Sequence, residues 1–261
     1  MADIAVPASA DVTTLRDAEL DDPWKWLMAG IADVKRAPVL SLGYGLFFVL
    51  VGVGGSALLW DSGLESLVPV LAGGFVLVGP MLAVGLYEIS RRLESGEPLR
   101  LRDVVFVKTA EPLQLAYMGF ALLFMYSIWI RVAMLLYAGF LHLDYTPLDE
   151  FVQFLLGTGQ GFAFLAIGTA VGAIFAVIVF AATALSVPML MDRHVDVVSA
   201  IAASLREVRQ NPKPMLLWAW LIALLIAFGF ATLFVGLIVV FPVIGHATWH
   251  AYRSLSGGAR T

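Results

Sequence analysis

The chain of 261 residues is 60% hydrophobic, carries only 14% charged residues and has a mean hydropathy of +0.88. A soluble domain has about a quarter charged residues and slightly fewer than half apolar ones, so this composition excludes a water-soluble globular protein. The net charge of −4 says little, because acidic residues cluster in the N-terminal tail, but the lack of a basic tract gives no indication of nucleic-acid binding. The lack of cysteine excludes disulfides, thiolate metal sites and cysteine nucleophiles.

The N-terminal part of the chain is predicted to lie in the cytoplasm. Residues 1–21 are polar and rich in Ala, Asp and Thr, which is typical of a disordered tail. The first 35 residues lack a charged stretch followed by an apolar one, so no cleavable signal peptide is expected. In the next segment, 22–36, Trp24, Leu27, Ile31 and Val34 recur at helical spacing. We expect a short amphipathic helix on the cytoplasmic leaflet, with its tryptophans at headgroup depth.

Long uncharged runs predict the membrane spans. The last run, 214–252, has 39 residues and would form a helix nearly twice as long as the hydrocarbon core is thick, so we divide it into two spans that turn near residues 229–236. The sequence thus predicts an all-α polytopic protein with a membrane domain over residues 22–255 and a C-terminal tail over 256–261. Its six transmembrane helices are expected at about 38–60, 66–90, 113–141, 162–190, 214–231 and 233–252.

The basic residues predict the orientation of these spans. With six spans, every one of the 16 Lys and Arg residues except Arg131 falls on the side of the N-terminus. Positive residues concentrate in cytoplasmic loops, so both termini are expected inside. The cytoplasmic segment 191–212 has the pattern of a second amphipathic helix, and the segment 142–160, which has no Lys or Arg, is expected to form an outer loop.

Arg131, in the outer half of the third span, is the candidate site for a substrate or an ion pair. A charge within a span marks a functional site by default and needs a partner. Three interpretations are open: snorkelling to the outer interface, a structural ion pair with Asp61, Glu65 or Asp144, or a site for an anion or a lipid phosphate.

His246 and His250 are one helical turn apart on the last span, which places both imidazoles on one face, as a metal or haem site would require. A third ligand could come from His194, Asp192 or Glu88. The favoured alternative is an interfacial belt in which Trp249, His250 and Tyr252 hold the helix end at headgroup depth, so no metal or other cofactor is predicted. Glu88, just before Arg91 and Arg92, is interpreted as an ion-pair member at the cytoplasmic interface.

Two spans share a pattern of glycine, proline, aromatic residue and arginine at equal spacing. Gly74, Pro80, Tyr87 and Arg91 in the second span correspond to Gly236, Pro242, Trp249 and Arg253 in the last. Proline within a span kinks the helix and frees a carbonyl, and some transporters are built from such repeats. A parallel duplication and a chance likeness both remain open.

Several segments together resemble an uncharacterised bacterial family of predicted integral membrane proteins, a domain of unknown function. They extend over about 20–255, and the resemblance implies a multi-pass protein of the bacterial inner membrane. Some family members are labelled as a cytochrome c oxidase subunit. A catalytic oxidase subunit needs more spans and more histidines within them than the six predicted spans and four histidines of this chain. The segments are 22–27, 74–98, 129–131, 186–193, 204–212 and 236–253.

No phosphate-binding loop, HExxH or GxSxG motif, or pair of intramembrane carboxylates occurs in the sequence. We therefore expect a non-enzymatic accessory, scaffold or assembly factor whose partners are the lipid bilayer and other membrane proteins or further copies of itself. The first alternative is a transporter or channel for a small solute or lipid, with Arg131 as its intramembrane site. The second is a haem- or metal-binding redox component.

Overall fold

The computed structural model describes residues 18–141 and 148–257. For three of these residues, Ser66, Leu148 and Asp149, it describes the backbone but not the side chain. Residues 1–17 of the predicted tail, the residues His142 and Asp144, and the last residues 258–261 lie outside this part. The described residues form helices and no strand, which confirms the all-α prediction. The helices are α1 (Asp22–Arg36), α2 (Pro38–Asp61), a 3-10 turn (Glu65–Leu67), α3 (Val68–Leu82), α4 (Val84–Ser95), α5 (Leu101–Val105), α6 (Pro112–Leu141), α7 (Leu148–Gly157), α8 (Gly159–Thr183), α9 (Ser186–Asp192), α10 (Val197–Gln210), α11 (Pro212–Ala231) and α12 (Leu237–Leu255).

Five helical segments of the described chain are long and apolar enough to cross a membrane, which makes this a multi-pass integral membrane protein. Two of the five combine consecutive helices, α3 with α4 and α8 with α9. The predicted sixth span corresponds to α12, whose second half carries His246, His250 and Arg253 and is too polar to be counted with the others. The five segments are Pro38–Asp61, Val68–Ser95, Pro112–Leu141, Gly159–Asp192 and Pro212–Ala231.

Side-chain contacts give the relative directions of the long helices. Helix α2 is antiparallel to α12, because Ser41 meets His246 whereas Gly45, further along α2, meets Ile238. The α3–α4 segment is parallel to α12: the Phe75 and Phe241 rings are 5.2 Å apart, and further along both helices Trp249 bonds to Glu94. Similar contacts make α6 antiparallel to both α3 and α8, and α11 antiparallel to α12. The long helices therefore alternate in direction along the chain.

Helix α12 lies at the centre of the bundle, with 13 of its 19 residues buried. Two glycines let other helices approach it. A methyl group at Gly30 of α1 would lie 2.6 Å from the carbonyl oxygen of Val243, and one at Gly45 of α2 would clash with the carbonyl oxygen of Ile238. Pro242 has no N–H to donate to that Ile238 carbonyl, so the carbonyl that the proline leaves free is the one that Gly45 of α2 approaches.

A break at Ala83 separates α3 from α4 within one membrane span. The Tyr44 hydroxyl of α2 donates to the carbonyl oxygen of Leu82 at 2.8 Å and accepts from the N–H of Gly85 at 3.3 Å. A backbone opened within a membrane needs such a partner, because no water is there to satisfy it. Tyr44 therefore stabilises the break.

A second break, at Ala184 and Leu185, separates α8 from α9 and is stabilised in the same way. The Ser204 hydroxyl of α10 donates to the carbonyl oxygen of Ala181 at 2.8 Å and accepts from the N–H of Leu185 at 3.2 Å. One hydroxyl from a neighbouring helix thus bridges each break.

The buried face of the amphipathic helix α1 differs in detail from the predicted one. In α1 the buried residues include Trp26, Gly30 and Asp33, whereas Trp24 is 51% exposed. The prediction placed only apolar residues on the buried face. It differs from the structure because α1 packs along α12 through small and polar residues as well as apolar ones. The outer segment 142–160, expected as a loop, contains α7 and the start of α8, because Phe151 and Phe154 pack on Phe164.

The turn between α11 and α12 has an unusual backbone. Leu233 and Phe234 both have positive φ angles, 52° and 68°, which side chains other than glycine seldom adopt. The Thr232 hydroxyl donates to the carbonyl oxygen of Gly229 at 2.9 Å and accepts from the N–H of Gly236 at 2.8 Å. These bonds close an otherwise apolar turn.

Candidate functional site

Polar side chains meet where the C-terminal half of α12 lies against α1, α2 and α4. His246 is at the centre of this polar network and is completely buried. Its Nδ1 lies 2.7 Å from the Ser90 hydroxyl on α4, and its Nε2 lies 2.9 Å from the Ser41 hydroxyl on α2. Because serine hydroxyls can donate or accept, they suit either tautomer of a neutral imidazole. His246 therefore joins three helices and uses both ring nitrogens in doing so.

Asp33, on α1, is the second member of the network and is 2% exposed. Its Oδ2 lies 2.7 Å from Nε2 of His250, and its Oδ1 lies 3.5 Å from the Arg36 guanidinium. Burial alone would raise the pKa of the Asp33 carboxyl. The hydrogen bonds with His250 and Ser90, together with the nearby imidazoles, outweigh burial and hold this pKa below its ordinary value of 3.8. Asp33 is therefore a buried carboxylate that ties α1 to α12.

Glu88, on α4, is a fully buried carboxylate with two arginine partners. Its Oε2 accepts from Nε of Arg91 at 2.8 Å, and its Oε1 accepts from Nε of Arg92 at 2.6 Å. Arg92 also lies 3.2 Å from the Asp103 carboxylate on α5. The ion-pair interpretation of Glu88 is confirmed, and the cluster attaches the short loop helix α5 to α4.

The end of α12 adds further bonds to α4 and α9. Glu94 accepts from the indole N–H of Trp249 at 3.2 Å and from Nε of Arg253 at 3.0 Å. The Tyr252 hydroxyl donates to the Asp192 carboxylate at 2.7 Å. These polar groups bond to one another across α1, α2, α4, α9 and α12, so the network holds these helices together.

Arg131 lies on the outer surface of the bundle. Its side chain is exposed and makes no hydrogen bond or ion pair with any residue that the structure describes. Its surroundings on α6 are exposed and apolar, with Leu135 72% exposed. Of its predicted partners, Asp61 and Glu65 form no ion pair with it, and Asp144 is outside the described residues. This placement is what snorkelling to the outer interface would require.

The three candidate histidine ligands do not come together. His194 is exposed, with Nδ1 2.9 Å from the Glu111 carboxylate, whereas His246 bonds to two serines and His250 to Asp33. Over residues 18–141 and 148–257, no group of three or more histidine, aspartate or glutamate side chains is placed to hold a metal ion.

An apolar cleft of about 390 Å³ lies beside α12, on the side away from α2. Its deep wall comes from α3, α4 and α12 and includes Phe75, Tyr87 and Phe241. Its outer walls come from α8 and α11, where Val177, Ala223 and Ala227 are exposed, so the cleft opens between these two helices. Both helix breaks border it through Ala83 and Ala184.

Two hydrogen-bond donors line the cleft without a partner. Tyr87 is 2% exposed and Trp218 is 1% exposed, yet the hydroxyl and the indole N–H bond to none of the described residues. Neither donor atom is among the sealed, unbonded side-chain atoms of the described residues, and both side chains line the cleft. The hydroxyls of Thr183 and Thr248, in contrast, donate to carbonyls of their own helices.

Sequence reasoning missed the serines and Asp33 of the network and both donors of the cleft. A signal for Asp33 does exist, since Trp26, Gly30 and Asp33 recur at helical spacing, with the glycine marking a close contact. Ser41, Ser90, Tyr87 and Trp218 lie in apolar spans, where nothing in one sequence distinguishes a lining side chain from a packed one.

Comparison with known proteins supports the resemblance found in the sequence. Residues 67–192 match a family model described as "Predicted integral membrane protein (DUF2189)", a domain of unknown function. The matched stretch holds both broken spans and α6, and it is shorter than the range 20–255 over which the sequence resembles the family. No curated protein and no solved structure matches the chain.

Proposed function

We propose, from the family match and the geometry of the site, that this chain is a non-enzymatic accessory, scaffold or assembly protein of a bacterial inner membrane. One observation carries the proposal. Three buried polar groups that could perform chemistry, His246, Asp33 and Glu88, are bonded to neighbouring side chains and hold helices together. A catalytic group would instead have to face a space that a substrate can reach.

The proposal includes six spans with both termini in the cytoplasm. Helix α12 is antiparallel to α2 and α11 and parallel to α3–α4, which suits a sixth crossing in alternation with the others. The polar network gathers Arg36, Arg91, Arg92 and Arg253 at one end of the bundle. Basic residues mark the cytoplasmic side, so this end is assigned to the cytoplasm.

Photo-crosslinking from several faces of the bundle tests the accessory role. A photoreactive amino acid replaces Trp24 on α1, Phe120 on α6 or Ile174 on α8, all exposed, and Met118 serves as a buried control. An accessory protein should give cross-links to one defined membrane protein from one face, and none from Met118. Absence of protein cross-links from every face, together with a purified homo-oligomer that transports solute in vesicles, would overturn the proposal.

The alternative is a transporter or channel for a small solute or lipid with Arg131 as its site. It is supported less well, because Arg131 lies on the exposed surface of α6 and is not among the residues that line the cleft. Replacing Arg131 by Ala and by Lys separates the two functions. An unchanged cellular phenotype at normal abundance would end the alternative, whereas loss of function in Arg131→Ala with rescue by Arg131→Lys would establish it.

A haem- or metal-binding redox role is the third proposal and has the least support. A metal at His246 would have to displace a hydrogen bond to Ser41 or Ser90, and His194 would have to leave Glu111. An absorption spectrum and a metal analysis of the purified chain test this role, and a colourless, metal-free preparation would exclude it.

A further inference from the structure

The cleft beside α12 has the length of one lipid acyl chain. Its lining residues on α11 extend from Trp218 to Phe230, a rise of about 18 Å at 1.5 Å per residue. The hydrocarbon core of a bilayer is about 30 Å thick, so one leaflet is about 15 Å deep. The cleft extends along α11, which is one of the membrane spans. It therefore follows the direction in which acyl chains lie in the bilayer.

The two unpaired donors lie at one end of this cleft. Tyr87 follows the break in the α3–α4 segment, and Trp218 begins the α11 wall, where its ring packs 5.9 Å from Trp26 near the polar network. Phe75 and Phe230 line the opposite end. A donor that faces an apolar space without an acceptor costs free energy, so a hydroxyl and an indole N–H at one end favour an oxygen atom there.

We propose that the cleft binds the acyl chain of a lipid, with the carbonyl oxygen of the acyl group accepting hydrogen bonds from Tyr87 and Trp218. The opening between α8 and α11 faces the lipid side of the bundle, so the chain would enter laterally from the leaflet nearer the polar network. This inference goes beyond the accessory role and does not depend on it.

The composition of the lining distinguishes this occupant from others. No charged side chain lines the cleft, so a headgroup phosphate, an ion or a polar solute finds no counter-charge within it. The volume of about 390 Å³ is near the lower end of the 300–1,000 Å³ typical of small-molecule pockets, which fits one chain and no bulky headgroup. The remaining choice is between a free fatty acid and a phospholipid, whose acyl carbonyls offer the same acceptor.

Photolabelling of the full-length chain in vesicles tests the site. One probe is palmitic acid with a diazirine at mid-chain, a second is a phosphatidylethanolamine carrying the same chain, and a third is a diazirine-bearing alkane without a carbonyl. Labelled residues are mapped by mass spectrometry in the presence of increasing unlabelled competitor. We expect saturable labelling on cleft-lining residues of α8 and α11 by one or both acyl probes, and the responding probe identifies the lipid source.

Two substitutions and one control variant make the outcome decisive. Tyr87→Phe removes only the hydroxyl and should weaken binding of the acyl probe about three- to tenfold, the net effect of one hydrogen bond, while leaving alkane labelling unchanged. Ala223→Phe fills the cleft and should abolish saturable labelling, whereas Leu224→Phe, at the adjacent exposed position outside the lining, should not. Non-saturable labelling spread over the lipid-facing surface, or acyl binding that is the same in Tyr87→Phe and the unsubstituted chain, would overturn the inference. The second criterion holds even if Ala223→Phe does not fold.

Discussion

Helices α12 and α6 combine burial and hydropathy in opposite ways. In α12, 13 of 19 residues are buried, although its second half is too polar for the helix to be counted among the apolar spans. In α6, three of 30 residues are buried, although its mean hydropathy as a span is 1.9. In a soluble protein the more apolar helix would be the core one. Here the order is reversed.

The reversal follows from the solvent. Lipid tails accommodate apolar side chains as well as a protein interior does, so burying leucine in a membrane bundle gains little. Helices associate there through close backbone approach and hydrogen bonds, which α12 obtains from Gly30, Gly45 and the serines that hold His246. The comparison therefore predicts that substitutions at α12 contacts are costly, whereas substitutions on α6 are tolerated.

The largest effect is expected for Gly45→Leu. Any side chain at Gly45 meets the backbone carbonyl of Ile238, which cannot rotate away, so α2 and α12 must separate. Overpacking costs about 1–3 kcal/mol and occasionally more, and we expect at least the upper end of this range. The measurements are the melting temperature and the monodisperse fraction in mild detergent.

Gly43→Leu is the matched control for this substitution, because nothing lies within 4 Å of a Cβ at Gly43. It replaces a helical glycine by a better helix former, so its stability should be unchanged or slightly increased. Equal losses in the two variants would mean that the α2–α12 contact does not limit stability.

His246→Leu should cost about 2 kcal/mol, because it leaves the Ser41 and Ser90 hydroxyls buried without their imidazole partner. Replacing all partners of a buried hydrogen bond by apolar groups is less costly than replacing one. The triple variant with Ser41→Ala and Ser90→Ala should therefore recover most of the loss. Melting temperatures of the single, double and triple variants show whether the losses of stability are additive. If the loss in the triple variant equals the sum of the losses in the single variants, the three side chains do not stabilise the fold cooperatively.

A smaller and pH-dependent effect is expected for Asp33→Asn. The folded-state pKa of Asp33 is below the ordinary 3.8. Between these two pKa values the folded chain therefore binds fewer protons than the unfolded chain. Its stabilising contribution is complete above the unfolded pKa and is lost as the pH falls through the folded pKa. Melting temperatures of the unsubstituted chain and Asp33→Asn should therefore differ at pH 6 and converge towards pH 3. Asp61→Asn, at the exposed end of α2, should leave the pH profile of the unsubstituted chain in place.

The sequence predicts those features of this fold that depend on residues close together in the chain. The apolar runs and Glu88 beside Arg91 carry local signals, and the structure bears them out as five apolar spans and a buried ion pair. The role of α12 carries no such signal, because its burial depends on Gly30, Ser41 and Ser90, which are distant in sequence. The cleft is likewise invisible, since Tyr87 and Trp218 acquire a shared function only when α4 and α11 pack around one space.

The smallest effect is expected for Arg131→Leu, on α6. Arg131 is exposed and has no partner among the described residues, so its removal leaves no buried charge unpaired and forms no cavity. If the guanidinium only reaches the outer interface, the stability of Arg131→Leu should be within about 0.5 kcal/mol of the unsubstituted chain in detergent. Arg131→Lys should match it, because a lysine ammonium can snorkel over a similar distance. A large loss in Arg131→Leu that Arg131→Lys restores would mean that α6 also makes a polar contact on which folding depends, and the contrast with α12 would then be one of degree.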